Sequence, residues 1–490
     1  MRHDDIVDWA LRPLTEQAAA IAGGEISAIE LLEHHLDRVE RINPAINAVV
    51  TIDRDRARDA ARAADETTAS GMELGPLHGV PGTIKDAIAT AGMRSTGGAV
   101  ELSDHVPTSD APVVARVRAA GGVIYGKTNL PRWSGDTQAT NEIFGTTGNP
   151  WAPERTPGGS SGGASAALAA GLSAFEVGTD IGGSIRVPAH FAGVCGHKPS
   201  FGVVPAFGYL DHPAGGTTEP DINVFGPLAR TVGDLEVLFD VLAGPTELEA
   251  TAWRLELPAP RFDDLRGFRV AAWTDDPACQ VSSAVGELME ETVDALVGAG
   301  ASIDRSARPD LDFEVVRTVG LPLISAAVSP GRTDEEFDHY RRLALDPDGA
   351  DPVEAMRARS SAAFHRDWLA LHVARQRARD AWTEFFSRFD VLLCPVAVIP
   401  AFPHMTEGNF YTRRIDVDGV ERPYADIVCW TSLIGMAYLP STVVPVGLTD
   451  ESLPVGIQVV GPYLEDRTAL AFARHVEAVT GGYRVPPLAR

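Results

Sequence analysis

Lysine is nearly absent from this chain. Of its 42 Lys and Arg residues, only Lys85, Lys127 and Lys198 are lysines. A guanidinium keeps its charge inside a protein, whereas an ammonium gives up its proton when buried. Three positions are therefore the candidates for a lysine that acts as a base. Cysteine is scarce as well. Cys195, Cys279, Cys394 and Cys429 are scattered and lack CxxC spacing. That excludes a disulfide framework and points to free thiols in a reducing cytoplasm. No uninterrupted apolar run of membrane-spanning length occurs, so no membrane span is expected. The opening segment MRHDDIVDWALRPLTEQ carries acids and lacks the apolar stretch of a secretory signal. HExxH, clustered His/Cys sets and EF-hand loops are all missing, so neither a metal nor another cofactor is expected. The His34–His35 pair on a charged helix reads as surface. Positive charge is in deficit, with 67 Asp and Glu giving a formal net charge of −25. This argues against nucleic acid or an anionic membrane as a default partner.

What is present is enough apolar material for a large core, 44% of 490 residues. Ser27–Glu30 is a capping-box pattern that opens an amphipathic helix to about Ile42, with Leu31, Leu32, His35, Leu36 and Val39 inward. Residues 46–52, 80–87, 123–125, 175–179, 268–273, 391–398 and 456–461 read as strands. Residues 54–65, 111–120, 164–170, 283–299 and 360–388 read as helices. This alternation predicts an α/β protein, read as one continuous domain over 1–490. Residues 305–360 are rich in Asp, Arg and Pro with little periodicity, and read as a mobile insert or a cap over the site.

Three motifs compete for the mechanism. Gly121–Thr128 (GGVIYGKT) matches the phosphate-loop pattern GxxxxGK[ST]. A phosphate loop follows a strand and opens a helix at its Lys-Thr. Here a helix precedes, the interior is strand-like, and Pro131 follows soon after. Gly158–Gly162 (GGSSG) matches the GxSxG nucleophile elbow of a Ser–His–Asp esterase, but the turn-rich NPWAPERTP precedes it where the elbow needs a strand. The third pattern is PGGSSGGASAALAAGLSAFEVGTDIGGSIR over 157–186. Two glycine-embedded serines, Ser160 and Ser184, flank a small-residue helix and a short strand. Glycine lets a backbone approach a ligand closely, so such loops present hydroxyls beside free N–H groups. That is the layout of a nucleophile next to an oxyanion site.

GVPGTIKDAI (79–88), GGVIYGKTN (121–129), FGTTGNPW (144–151), TPGGSSGGASAALAAG (156–171), VGTDIGGSIRVPAHFAGVCGHKPS (177–200), GPLARTVGDL (226–235) and LPVGIQVVG (453–461) together resemble the amidase signature family of serine hydrolases. The resemblance covers most of the chain, with its core over about 75–240. It implies an α/β amidase signature fold: a large mixed twisted sheet covered on both faces by helices. It also implies a Ser–cis-Ser–Lys triad. Ser184 would be the nucleophile, Ser160 the bridging serine after a cis Gly159–Ser160 bond, and Lys85 the base. The oxyanion site would use the N–H groups of Ile181, Gly182, Gly183 and Ser184. Lys127 and Lys198 would then be structural. Asp180 and Arg186 read as a structural pair, His190 and His197 as structural, and Cys195 as a small buried residue.

By the same resemblance, Trp133, Ser134 and Gly135 border the acyl pocket. The variable segments near 205–222, 310–360 and 405–430 would shape the leaving-group side. Phe207, Tyr209, Phe313, Tyr411 and Trp430 in them suit an aromatic or bulky apolar amide, with carbamates (urethanes) and esters sharing the same attackable carbonyl. The family also includes the glutaminase subunit of a tRNA-dependent amidotransferase. That subunit carries a D-E-F-A-M-G type segment after GKTN, where this chain reads LPRWSGDTQ, so a stand-alone amidase or acylamidase is expected. A small-molecule substrate is the expected partner, and a homodimer stays open.

Overall fold

The computed structural model describes residues 8–490 apart from Ala214. Its centre is an eleven-stranded sheet. The strands are β1 (Val49–Ile52), β2 (Pro81–Lys85), β3 (Val123–Thr128), β4 (Glu176–Asp180), β5 (Cys195–Lys198), β6 (Val224–Ala229), β7 (Arg269–Ala272), β8 (Ser302–Asp304), β9 (Val391–Pro395), β10 (Ser441–Leu448) and β11 (Pro454–Val460). They run in the order β1-β3-β2-β4-β6-β5-β10-β11-β9-β7-β8. The sheet is mixed: β2 lies parallel to β3 and β4, while β6 is antiparallel to β4 and β5.

Side chains alternate across a strand, and here the alternation feeds two separate cores. Val270, Ala272, Val391, Leu393, Val444 and Val459 join one cluster. Ala271, Leu392, Val443 and Val460 join the other. Helices Ala28–Ile46, Val232–Leu242, Ser283–Gly298 and Asp466–Thr480 cover the first face. Helices Arg186–Ala192, His365–Arg388 and Cys429–Gly435 cover the second. Each fully buried large apolar side chain contributes about 1.5–3 kcal/mol. Helix Gly162–Ala169 is buried on all its residues. Its Gly/Ala composition suits a helix packed from every side.

The first amphipathic helix starts as expected. Ser27 accepts from the Glu30 N–H at 3.2 Å, and the Glu30 carboxylate accepts from the Ser27 N–H at 3.0 Å. It runs on to Ile46, past the expected end at Ile42 and through Pro44. Asn47, in the left-handed region at φ 49°, stops it. Asn43 then accepts from the N–H groups of Ala48 and Val49. His34 is partly exposed, but His35 is buried against the Leu172 carbonyl and Gln17, so only half of that pair belongs to the surface. The weakly periodic 305–360 region is helical: Val316–Gly320, Leu321–Ala327, Asp334–Leu345 and Pro352–Ser361. Its pattern was faint because these helices bury few side chains each. A break after Ser361 also separates Pro352–Ser361 from His365–Arg388, where one helix over 360–388 was expected.

Candidate active site

β2 ends on Lys85, and all five of its residues are buried. The Lys85 Nζ donates to the Ser160 Oγ at 2.6 Å and to the Thr179 Oγ1 at 2.7 Å. Thr179 stands on β4, the strand parallel to β2, so the sheet itself holds the amine beside its partners. Burial pushes the Lys85 amine well below its usual range, against the opposing pull of Asp180 and Glu176.

Ser160 follows a cis Gly159–Ser160 bond and is fully buried at the entry to helix Gly162–Ala169. A Cβ on Gly159 would sit 2.6 Å from backbone atoms of Asp136, Thr137 and Gln138. Only glycine fits against that neighbouring loop. The Ser161 N–H donates to the Ser184 carbonyl at 3.1 Å, which ties the two serine loops together.

The loop after β4 is organised by one carboxylate. Asp180 accepts from the N–H groups of Gly183 (2.8 Å), Ile185 (3.1 Å) and Arg186 (3.3 Å). It also accepts from the Arg186 guanidinium at 3.0 and 2.8 Å. Burial pushes the Asp180 carboxyl up, but Arg186 and these donors outweigh it and hold it below the usual range. Arg186 continues to the Thr431 carbonyl and Gln458 at 2.8 and 3.0 Å, and Thr431 donates to the Gly182 carbonyl at 2.6 Å. Gly183 takes φ 130°, a conformation that disfavours any residue with a Cβ. The turn lets the chain fold around the carboxylate.

Because Gly183 spends its N–H on Asp180, it is not free for a substrate oxygen as the resemblance implied. The N–H groups of Ile181, Gly182 and Ser184 find no acceptor among the described residues. Ile181, Gly182 and Ser184 line a cavity of about 340 Å³. Trp133, Ser134, Gly135, Tyr209, Ile324, Tyr340, Phe410 and Tyr411 line it too. Trp133 and Ser134 both adopt positive φ, 51° and 55°, and the Trp133 N–H donates to the Gly97 carbonyl at 2.8 Å. Phe313 and Trp430 do not reach the cavity. They pack with Trp273, ring centroids 4.9–5.7 Å apart, in the core of the second face.

The other two lysines face elsewhere. The Lys127 Nζ donates to the Ile88 carbonyl and, at 2.8 Å, to Thr90. The Lys198 Nζ donates to the carbonyls of Pro199 and Leu439 at 2.7 and 2.9 Å. Burial lowers both, to about 8 and about 7. The GGVIYGKT segment is mostly strand β3, so no helix opens at Lys127 to cradle a phosphate. No histidine lines the cavity. His190 bonds to the Gly456 backbone, and His197 to Thr442 and Asp466. Among the described residues no group of His, Cys, Asp or Glu is arranged to hold a metal ion, and no helix is long and apolar enough to cross a membrane.

Thr179 was not singled out in the sequence, although it directly precedes Asp180 in the GTDIGGS segment. The roof residues Tyr340 and Arg357 carried no local motif at all.

An uncharged buried amine against one serine hydroxyl, with a second serine in an adjoining loop beside free N–H groups, can move a proton and attack a carbonyl. The Amidase family matches residues 30–470. Among characterised relatives, a glutamyl-tRNA(Gln) amidotransferase subunit of Acidothermus cellulolyticus is 33% identical, over 94% of this chain and 92% of that protein. Indoleacetamide hydrolase of Bradyrhizobium diazoefficiens is 33% identical, over 95% of this chain and 86% of its own length. A bacterial aryl acylamidase structure superposes with a TM-score of 0.79 at 26% identity, covering 96% of both chains. The sheet, the serine loops and these likenesses converge: the chain belongs to the amidase signature family, enzymes that act on amides.

Proposed function

We propose that this chain is a stand-alone amide hydrolase working through a covalent acyl-enzyme. The observation that carries the reading is the buried Lys85 amine 2.6 Å from the Ser160 hydroxyl. Neutral Lys85 takes the Ser160 proton while Ser160 takes that of Ser184. The Ser184 Oγ then bonds to the amide carbon, and the oxyanion rests on the N–H groups of Ile181, Gly182 and Ser184. One such donor is worth roughly 3 kcal/mol in other hydrolases. Ser160 returns a proton to the leaving nitrogen as the C–N bond breaks. Water, deprotonated by the same relay, releases the acid and restores Ser184. In this scheme no imidazole takes part.

Trp133, Tyr209, Phe410 and Tyr411 on the cavity wall favour aryl or bulky apolar amides. Carbamates and esters present the same carbonyl. Labelling by a fluorophosphonate probe, together with anilide hydrolysis, tests the reading. Both should vanish in Ser184→Ala, and labelling that persists in that variant would refute it.

The likeness to amidotransferase subunits supports a second reading, release of ammonia from glutamine for a partner. Residues 130–138 (LPRWSGDTQ) speak against it. Glutamine-dependent ammonia release that exceeds anilide turnover would establish it instead.

A further inference from the structure

The roof of the cavity carries positive charge that the protein does not neutralise. Arg357, on helix Pro352–Ser361, is 8% exposed and lines the same cavity as Ser184. Its guanidinium lies over the Tyr411 ring at 3.9 Å and the Tyr340 ring at 4.9 Å. Arg332 also lines the cavity and lies over Tyr340 at 5.5 Å. Neither arginine makes an ion pair among the described residues, and the Nε of each is buried without a hydrogen-bond partner. The other charged groups of the lining are committed. Arg132 pairs with Glu101, Asp136 with Arg413, and Asp211 with His212. Glu336 faces Arg332, but its carboxylate accepts from the Thr333 N–H at 2.8 Å and caps a helix. Two guanidiniums against that one carboxylate leave a net positive charge. A buried charge without a partner is costly, whereas guanidinium binds carboxylate through paired, charge-assisted hydrogen bonds. The flanking tyrosine rings hold Arg357 in place by cation–π contact, so its fork is already oriented.

We propose that Arg357, with Arg332, receives a carboxylate on the substrate away from the scissile carbonyl, so that the preferred substrates are amides bearing an anionic group. This rests on the amide-hydrolase reading and names its substrate class. Arg357, Tyr340 and Tyr411 come from the 310–360 and 405–430 segments. The carboxylate is therefore expected on the amine-derived half.

The test uses two matched pairs of probes with the full chain. N-acetyl-4-aminobenzoate against N-acetyl-4-toluidine places the charge on the amine side. Glutaryl against pentanoyl 4-nitroanilide places it on the acyl side. The expected result is a preference of at least about tenfold in kcat/KM for the aminobenzoate over the toluidide, falling to near unity in Arg357→Met. A wild-type ratio near one for both pairs, with Ser184-dependent turnover intact, overturns the inference and leaves the hydrolase reading standing. That outcome needs no variant to fold. A preference confined to the glutaryl anilide overturns the assignment to the amine side. Absence of both turnover and fluorophosphonate labelling overturns the reading beneath it.

Discussion

Replacing Lys85 by Met tests the proposed chemistry most directly. The amine is fully buried and donates 2.6 Å to Ser160 and 2.7 Å to Thr179. Met fills much of the same volume and removes the proton acceptor. A positioned general base contributes about 10²–10⁴-fold. Amide turnover should therefore fall by about that factor, with a smaller loss on an activated ester, whose leaving group needs no proton. Stability should change little. Two lost hydrogen bonds cost about 1 kcal/mol each, and removing a desolvated amine offsets part of that.

The pH dependence adds a second readout. Lys85 titrates well below its usual value because of burial, and its neutral form is the active one. The rate should rise with pH through that lowered pKa and then level off. Steady-state anilide hydrolysis across pH, with circular dichroism to monitor the fold, measures both effects. A Met variant that keeps more than a tenth of wild-type kcat, or the same acid limb, would refute the role of Lys85 as the base.

Thr179→Val removes one of the two acceptors that orient the Lys85 amine, and kcat should drop about tenfold with KM little changed, as initial rates would show. Arg186→Met leaves the Asp180 carboxylate buried without its guanidinium. Urea unfolding should report a loss of about 3–5 kcal/mol, and a loss under 1 kcal/mol would contradict the account of that loop. Ser27→Ala deletes the helix cap and should cost about 1 kcal/mol in the same assay, with anilide turnover unaffected.

Sequence reasoning reached the serine loops and Lys85 because their chemistry is local: glycine beside serine, and an amine where arginine is the rule. It placed the sheet strands well because apolar runs such as 391–398 and 456–461 announce themselves. The strand order was out of reach, since β5 pairs with β10 across more than two hundred residues and no local pattern encodes that choice. The carboxylate under the 181–186 loop was expected only as one half of an ion pair. Its grip on the Gly183 N–H depends on a backbone turn that composition does not reveal. Aromatic residues were ambiguous in the same way. Tyr209 and Tyr411 face the cavity while Phe313 and Trp430 fill the core, and nothing in their neighbours along the chain separates the two fates. Arg357 had no signal at all, because its meaning comes from the two rings that converge on it in space.

All three lysines lie wholly inside the fold. Apart from the chain's terminus, the exterior therefore offers no primary amine to electrophiles. A catalyst that handles activated acyl compounds would be spared stray acylation of its own surface. Amine-directed dyes, crosslinkers and resins should couple sparingly while the protein is native and freely once it unfolds, which makes such reagents a ready gauge of its opening.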